Sequence, residues 1–347
     1  MKLAVTQHTV PLRAPFHAGH GTVTDRELLL VELRAADGLA GYGEAAPLES
    51  YDGVSTADVR TALEACAPVL EAYRDAAPIA DVLARCAEAT VLPQALAAID
   101  LALWDLAGRR TREPVWRLLG AMNAGRAGPI PVNWTIAAAD RSGAAHEAAT
   151  ARAAGYGTVK VKVAIGDDAG RLAAVRAFGG PDIAIRIDAN GAWLPAEAEA
   201  ALAVLEPVGI ELCEEPVTGL AAIQALRSLT RIPLALDESA GDPEALRRPA
   251  ADFICLKISR CGGISGTLEA AARARAAGYG VYLASTLDGP LGIAAALHAA
   301  AVIGPDRACG LATLGLFHGS KDPLPVARGS IVPPSGPGLG EGLRDWY

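Results

Sequence analysis

The second half of the chain alternates short apolar runs with alanine-rich stretches, at intervals of roughly 20 to 30 residues that are typical of repeated strand and helix units. Stretches such as AGRLAAVRAFG (169–179) and GTLEAAARARAAG (266–278) predict helices. The candidate strands are, in chain order, IPVNWTIAA (130–138), TVKVKVA (158–164), IAIRIDAN (183–190), IELCEEP (210–216), IPLALDES (232–239), DFICLKIS (252–259), GVYLAST (280–286) and the less clear ACGLAT (308–313). This alternation predicts an α/β protein with a parallel (β/α)7-8 barrel of the TIM type. An open doubly wound sheet is less favoured, because no run is followed by the glycine fingerprint of such sheets.

The first part of the chain has a different pattern, typical of a mixed α+β unit. The segment LLLVELRAADGLAGYGEAAP (28–47) predicts a β-hairpin that turns around Asp37 and Gly38. Helical periodicity predicts three helices, over residues 55–74, 77–89 and 92–110. Gly108 is the predicted stop of the third helix.

The length of 347 residues accommodates a barrel and a second, smaller domain. We expect an α+β capping domain over residues 1–125, completed by residues 325–347, and a catalytic barrel over residues 126–324. The net charge of −8 argues against nucleic acid as a partner. The first residues lack the long apolar core of a signal peptide, and no apolar stretch is long enough to span a membrane. A cytoplasmic protein without a membrane partner is therefore expected.

Charged residues lie where the predicted barrel strands end, which is where chemistry gathers in such barrels. The second strand carries Lys160 and Lys162 on one side, because successive strand residues point to opposite faces. The following strands end in carboxylates or amides and the sixth carries a lysine, in the order Asp188 and Asn190, Glu214 and Glu215, Asp237 and Glu238, and Lys257. A single carboxylate in such a place is more often a helix cap or turn residue. Three that converge from adjacent strands repel one another and need a cation.

Oxygen ligands without histidine or cysteine favour a hard ion, Mg²⁺ or alternatively Mn²⁺. Lys162 and Lys257 lie four strands apart, so they are expected to face each other across the mouth of an eight-stranded barrel. A lysine acts as a base only when it is neutral. A nearby metal ion and Lys160 are both expected to lower the pKa of Lys162.

Further residues are candidates for substrate contact, each with a structural alternative. His17 and His20 lie in a glycine-bearing loop of the capping unit that could close over a substrate, or they are ordinary loop residues. Trp134 on the first strand is a pocket candidate, the alternative being a place in the core. Ser285, Thr286 and Asp288 follow the seventh strand and either contact substrate or cap a helix. Asn190 completes the candidate set.

The order of these motifs resembles the enolase superfamily, in its mandelate racemase/muconate-lactonizing subgroup. The matching segments are GLAGYGEAAP, AIDLALWDLAG, KVK, DAN, EEP, DES and LKISRCGG. The resemblance implies that Mg²⁺ is held by Asp188, Glu214 and Asp237. It also implies that Lys162 is the base, Lys160 its modulator, and Lys257 either an acid/base on the opposite face or a cationic stabiliser. The substrate is then a small-molecule carboxylate that loses its α-proton to give an enolate, and the enzyme is expected to be a homo-oligomer.

The choice of activity within the subgroup depends on fewer residues. The segment from LASTLDGPLG to ACGLATLGLF resembles that of o-succinylbenzoate synthases, the dehydratases of menaquinone biosynthesis. GLATLGLF lacks the Asp-x-Asp motif of dipeptide epimerases, whereas the loop APFHAGHGTVTDRE departs from the Arg-Phe-Arg-Gly-like loop of many such synthases. N-succinylamino acid racemase, dipeptide epimerase and muconate cycloisomerase remain alternatives. A Schiff-base lysine aldolase is an alternative from another class, but it needs no carboxylate cluster.

Overall fold

The N-terminal part of the chain forms a three-stranded antiparallel sheet. In the computed structural model, which describes residues 1–18, 21–73, 77–120, 127–319 and 321–347, its strands are β1 (Lys2–Ala18), β2 (Gly21–Arg34) and β3 (Ala40–Ala45). The predicted hairpin is confirmed, because β2 and β3 pair in antiparallel register. The sequence pattern does not predict β1, in which Pro11 and Pro15 interrupt the strand signal and the register shifts between Pro11 and Phe16.

Helices follow the sheet in the chain. They are α1 (Glu49–Asp52), α2 (Thr56–Ala72), α3 (Ile79–Ala89), α4 (Pro93–Thr111) and α5 (Val115–Leu118), of which α2 and α4 pack on the sheet. α4 packs directly on β3, and this approach requires glycine: a Cβ at Gly41 or Gly43 would lie about 2 Å from a backbone carbonyl oxygen of α4. The prediction that α4 stops at Gly108 was wrong, since the helix continues to Thr111. Gly108 instead allows the backbone at Gly338 to approach, because an added Cβ would lie 2.6 Å from its Cα.

The second part of the chain is a parallel barrel. Its seven-stranded sheet has the order β11-β10-β9-β8-β7-β6-β5. These strands are β5 (Trp134–Ile136), β6 (Thr158–Lys162), β7 (Ala184–Asp188), β8 (Ile210–Glu214), β9 (Leu234–Leu236), β10 (Phe253–Leu256) and β11 (Gly280–Leu283). Two short strands, β4 (Ile130–Pro131) and β12 (Ser330–Ile331), pair separately in antiparallel fashion. The predicted fold class is confirmed, with each of the first seven candidate runs containing a strand of this sheet.

The eighth candidate run closes the barrel through two backbone bridges rather than a full strand. The N–H of Asn133 donates to the Cys309 carbonyl at 3.0 Å, beside β5. On the other side, the N–H of Ser285 donates to the Gly310 carbonyl at 3.0 Å, next to β11. Residues 309 and 310 therefore occupy the eighth position between the first and seventh strands.

Helices surround the barrel: α6 (Arg141–Ala153), α7 (Asp168–Gly179), α8 (Pro195–Leu205), α9 (Leu220–Arg227), α10 (Gly263–Ala277) and α11 (Pro290–Ile303). Alanine lines the buried side of α6, where small side chains let the helix lie close to the strands. Between β9 and β10 the connection holds only a 3₁₀ turn over Glu238–Gly241. Within the described residues, no helix has the length and hydropathy of a membrane span.

A buried carboxylate joins the capping sheet and helices to the barrel. Asp100 of α4 accepts hydrogen bonds from the backbone N–H of Ser265 at 3.1 Å and from its hydroxyl at 2.6 Å. Ser265 lies in the first turn of α10, so Asp100 satisfies donors that the helix itself leaves free. Burial raises the pKa of Asp100 to about 7. The contact anchors the helix that directly follows the sixth-strand lysine.

Candidate active site

The strand register brings the predicted charged residues to one level of the barrel. Lys162 is in register with Asp188, and Asp188 is in register with Glu214 on the next strand. Asp237 follows β9 directly, and Lys257 follows β10. Because parallel strand ends meet at the same edge, all of these side chains lie at the C-terminal mouth of the barrel.

The three predicted metal ligands form one buried cluster. Asp188, Glu214 and Asp237 are each at most 3% exposed. The Lys160 ammonium lies 2.8 Å from Asp188 Oδ2 and also contacts Glu214 Oε1, so one cation bridges the first two carboxylates. Donor atoms of Glu214, Asp237 and Cys255 lie within 4.8 Å of one another, which joins the third carboxylate to the cluster.

Charge pairing dominates the electrostatics of this cluster. Burial alone lowers the pKa of Lys160, but the charges of Asp188 and Glu214 outweigh it and raise the pKa well above its ordinary value. Burial alone raises the pKa of Asp188, yet the two ammonium groups of Lys160 and Lys162 hold that pKa below its usual range. Burial alone also raises the pKa of Asp237, but Lys257 and Lys160 hold it below its usual value, whereas burial leaves the pKa of Glu214 raised. Asp188 and Asp237 are therefore the acids that the neighbouring cations stabilise as anions.

The residues present fit a hard divalent cation. A buried carboxylate oxygen, Oε2 of Glu238, has no hydrogen-bond partner among the described residues, and its neighbour Asp237 belongs to the cluster. Burial, and then the charges of Asp237 and Asp188, raise the pKa of Glu238 to about 8. Cys255, the sulfur of this group, has its pKa raised well above the usual value by burial and by the charge of Asp237, which opposes formation of the thiolate that binds metal ions. The carboxylate oxygens are the strong donors, as Mg²⁺ prefers.

Lys162 is held on one side of the mouth. Its ammonium lies 2.6 Å from Asp188 Oδ2 and donates to Asn190 Oδ1 at 2.8 Å. Asn190 in turn donates from Nδ2 to Glu238 Oε1 at 2.9 Å. Its backbone φ of 47° is left-handed, a conformation that asparagine tolerates better than most residues. Asn190 therefore joins the second, third and fifth strand ends.

Lys257 is held on the other side by a residue that the sequence did not single out. Its ammonium lies 2.7 Å from Asp237 Oδ1 and donates to the Tyr51 hydroxyl at 2.7 Å. It also lies 4.1 Å from the centre of the Tyr51 ring, within range of a cation–π interaction. Arg260 donates to the same hydroxyl at 3.0 Å, and that hydroxyl donates to Asp237. Tyr51 belongs to α1, so the capping unit contributes directly to the site.

Lys162 and Lys257 line a single cavity at the mouth of the barrel. It is lined by Lys160, Lys162 and Lys257, and by Asp237 as the single carboxylate among the described lining residues. Apolar residues that the sequence did not single out, Phe16 of β1 and Leu48 before α1, also line it. The cavity can therefore hold a small anionic molecule against three cations.

The other predicted contact residues are divided between this cavity and its surroundings. Ser285, Thr286 and Asn190 line the cavity. Asp288 is buried beside it, where its carboxylate accepts hydrogen bonds from the Thr286 N–H and hydroxyl. Trp134 faces a separate groove and contacts Tyr156 edge-on, with ring centres 5.3 Å apart. His17 lies on β1, but its side chain is outside the described part of the structure, as is the whole of His20.

A capped barrel with lysines on two sides of a carboxylate cluster is the arrangement that the resemblance to the enolase superfamily implies. Family models agree: residues 143–346 match "Enolase C-terminal domain-like", and residues 1–120 match "Mandelate racemase / muconate lactonizing enzyme, N-terminal domain". The chain belongs to the mandelate racemase/muconate lactonizing enzyme subgroup of the enolase superfamily. Its relatives are racemases, epimerases, cycloisomerases and lyases, so it is an enzyme of that superfamily.

Individual relatives differ in activity. An N-succinyl-L-Arg/Lys racemase from Bacillus cereus is 31% identical over 84% of this chain and 81% of its own. An o-succinylbenzoate synthase from Mycobacterium bovis is 42% identical, but over only 54% of this chain and 59% of its own. The crystal structure of a dipeptide epimerase from Cytophaga hutchinsonii, complexed with Mg and the dipeptide D-Ala-L-Val, has a TM-score of 0.88 and 27% identity. That match covers 99% of this chain and 97% of the epimerase.

Proposed function

We propose that this enzyme removes the α-proton of a dicarboxylate substrate in a Mg²⁺-dependent reaction, and that its main reaction is the o-succinylbenzoate synthase dehydration of 2-succinyl-6-hydroxy-2,4-cyclohexadiene-1-carboxylate. One observation carries the proposal: Lys162 and Lys257 line the same cavity from the second and sixth strands. The buried carboxylates of Asp188, Glu214 and Asp237 lie between them.

Each of these residues has a defined task in the proposed reaction. Asp188, Glu214 and Asp237 would hold Mg²⁺, which when bound supplies positive charge to a substrate carboxylate. Lys162, with its ammonium 2.6 Å from Asp188, is the base, which must first release its own proton to solvent. It then takes the α-proton, the electrons of that C–H bond form the new ring double bond as the C6–O bond breaks, and the lysine returns the proton to the departing hydroxyl, which leaves as water. Lys257 keeps its charge, because Asp237 outweighs burial and raises its pKa well above the usual value. It therefore acts as a fixed cation or as a proton donor on the opposite side.

The charge of the site supports an anionic substrate. With Lys162 neutral as the base, Lys160, Lys257 and the proposed Mg²⁺ together carry more charge than the carboxylates of Asp188, Glu214 and Asp237. The eighth-strand segment contributes Gly310 and Thr313 to the lining, and no acidic side chain of the described residues 308–313 faces it. A dipeptide ammonium therefore has no carboxylate partner on that strand. Succinyl-bearing substrates match this lining better than dipeptides do.

Racemisation of N-succinylamino acids is a second candidate. It requires one proton carrier on each face of the α-carbon, and Lys162 and Lys257 are placed on two sides of one cavity. The 31% identity with an N-succinyl-L-Arg/Lys racemase over most of the chain supports this activity as well.

A substrate panel separates the candidates. Purified enzyme with Mg²⁺ is assayed against the cyclohexadiene substrate by loss of diene absorbance, and against N-succinylamino acids, dipeptides and muconolactone by α-proton exchange in D₂O. We expect the highest kcat/KM for the cyclohexadiene. A higher kcat/KM for an N-succinylamino acid would reverse the order of the two candidates, and exchange with dipeptides alone would contradict the argument from charge. Lys2→Ala, which changes an exposed lysine of β1, is the matched control for lysine variants of the site.

A further inference from the structure

A charged and aromatic layer fills the barrel directly beneath the carboxylates. Arg186 of β7 and Tyr282 of β11 are each only 1% exposed. Arg186 donates from Nε to Glu211 Oε2 at 2.7 Å and from Nη1 to the Ala308 carbonyl at 2.6 Å. Its guanidinium carbon lies 5.0 Å from the centre of the Tyr282 ring. A permanent cation is thus fixed against the face of this tyrosine.

Tyr282 connects this layer to the cluster. Its hydroxyl donates to Glu214 Oε2 at 2.7 Å, while the other oxygen of the same carboxylate, Oε1, faces Lys160. The two oxygens of Glu214 therefore have different partners: Oε2 accepts from the Tyr282 hydroxyl, and Oε1 accepts from the Lys160 ammonium, which also contacts Asp188. None of the roles assigned above uses Tyr282 or Arg186.

We propose that Tyr282, supported by Arg186, is a positioning residue that occupies Oε2 of Glu214, so that this carboxylate offers a single oxygen to the metal ion and the site selects Mg²⁺ over Ca²⁺. The inference rests on the metal site of the proposed function. Ca²⁺ takes six to eight oxygens and commonly binds a carboxylate through both of them, whereas Mg²⁺ requires close to six at shorter distances. A Glu214 restricted to one oxygen therefore suits the smaller ion.

Burial strengthens the hydrogen bond between Tyr282 and Glu214. Tyr282 and Glu214 are each only 1% exposed, so water has little access to the hydrogen bond between them. A hydrogen bond to a buried charged group is stronger than one between neutral groups. The cation of Arg186 on the other side of the ring favours the anionic form of Glu214. Such supporting bonds to metal ligands typically change metal affinity by about 10- to 100-fold.

The test compares Tyr282→Phe with a matched control in the same part of the chain. Tyr279, three positions earlier, is also buried, but its hydroxyl donates to the Ala245 carbonyl and accepts from the Ala250 N–H, both at 2.9 Å. Tyr279→Phe therefore removes a buried tyrosine hydroxyl whose partners lie outside the cluster. Mg²⁺ and Ca²⁺ binding to each full-length protein is measured by isothermal titration calorimetry without substrate, and thermal unfolding shows whether both variants are folded.

We expect Tyr282→Phe to bind Mg²⁺ roughly tenfold more weakly than the wild type, with the affinity ratio of Ca²⁺ to Mg²⁺ rising on the order of tenfold. Tyr279→Phe should keep both affinities. An unchanged ratio in Tyr282→Phe, or an equal change in both variants, would overturn the inference and leave the metal site intact. Absence of Mg²⁺ binding by the wild type would overturn the proposed metal site itself, and this inference with it.

Discussion

Glu44 of β3 is expected to make the folded protein less stable as the pH rises. It is buried between the capping sheet and the barrel, where Oε1 accepts the Gly289 N–H at 2.7 Å and Oε2 accepts the Tyr347 hydroxyl. Asp288 and Arg26 are also buried, and the Arg26 guanidinium interacts electrostatically with both carboxyl groups. Burial first, and then the charge of Asp288, raise the pKa of Glu44 from 4.5 to about 8.

The magnitude follows from proton linkage. In the unfolded chain Glu44 releases its proton near pH 4.5, whereas in the folded protein it keeps the proton up to about pH 8. The folded state therefore binds more protons in this window, and stability is lost as the pH rises through it. At 1.36 kcal/mol for each pH unit, the raised pKa corresponds to about 5 kcal/mol of stability that is present below pH 4.5 and absent above pH 8.

Urea unfolding between pH 5 and pH 9 tests this prediction on three proteins. Glu44→Gln keeps the shape of the protonated side chain but cannot titrate, so its free energy of unfolding should lack the contribution that the wild type loses. Tyr347→Phe removes the hydroxyl bonded to Glu44 while leaving the carboxyl group, so it should be less stable than the wild type and should still lose stability as the pH rises. A constant difference between wild type and Glu44→Gln from pH 5 to pH 9 would refute the reasoning.

Three further substitutions have defined outcomes. Lys257→Ala should abolish racemisation of N-succinylamino acids, but it should leave part of the dehydration activity if the lysine contributes only charge; polarimetry and diene absorbance measure the two rates. Tyr51→Phe should lower kcat/KM by roughly tenfold or more, since it removes a hydrogen bond to a charged group, worth about 1.5–3 kcal/mol, from the Lys257 and Asp237 pair, and steady-state kinetics will show whether it does. Asp100→Ala should cost about 1–2 kcal/mol in urea unfolding, because the first turn of α10 loses its buried capping carboxylate, and wild-type stability would contradict that role.

The barrel and its charged residues were predictable because both follow from local patterns. Parallel strands place their ends at one edge, so a lysine or carboxylate at the end of each apolar run indicates a shared site without further information. Lys162, Asp188 and Glu214 indeed lie in register on neighbouring strands. The weak strand signal of the eighth run also agrees with the structure, in which its residues 309 and 310 close the barrel through isolated bridges rather than a full strand.

The capping unit's contribution was not predictable, because it depends on contacts between distant segments. Tyr51 lies in a four-residue helix and reaches Lys257 across 206 positions of sequence, and nothing in the segment ESYDG indicates that contact. For Trp134 the sequence left a pocket position and a core position open. Its neighbours Asn133 and Thr135 line the cavity, whereas Trp134 lines a separate groove, as expected when successive strand residues point to opposite faces.

Gly108 shows the same limit for a helix boundary. A glycine near the end of a helical pattern usually marks its stop, but here it serves close packing against Gly338 from the C-terminal segment. Only the tertiary structure distinguishes the two uses of the residue.

The central claim is that Lys162 removes the α-proton of a substrate in a Mg²⁺-dependent reaction. The most direct measurement is the rate of diene loss from 2-succinyl-6-hydroxy-2,4-cyclohexadiene-1-carboxylate with Mg²⁺, after EDTA, and after Mg²⁺ is restored, for wild type and Lys162→Ala. The account predicts a wild-type rate that EDTA abolishes and Mg²⁺ restores. It also predicts that the rate of Lys162→Ala is about 100- to 10,000-fold lower, as expected when a general base is removed. A wild-type rate that is unchanged in EDTA, or wild-type-like turnover by Lys162→Ala, would contradict it.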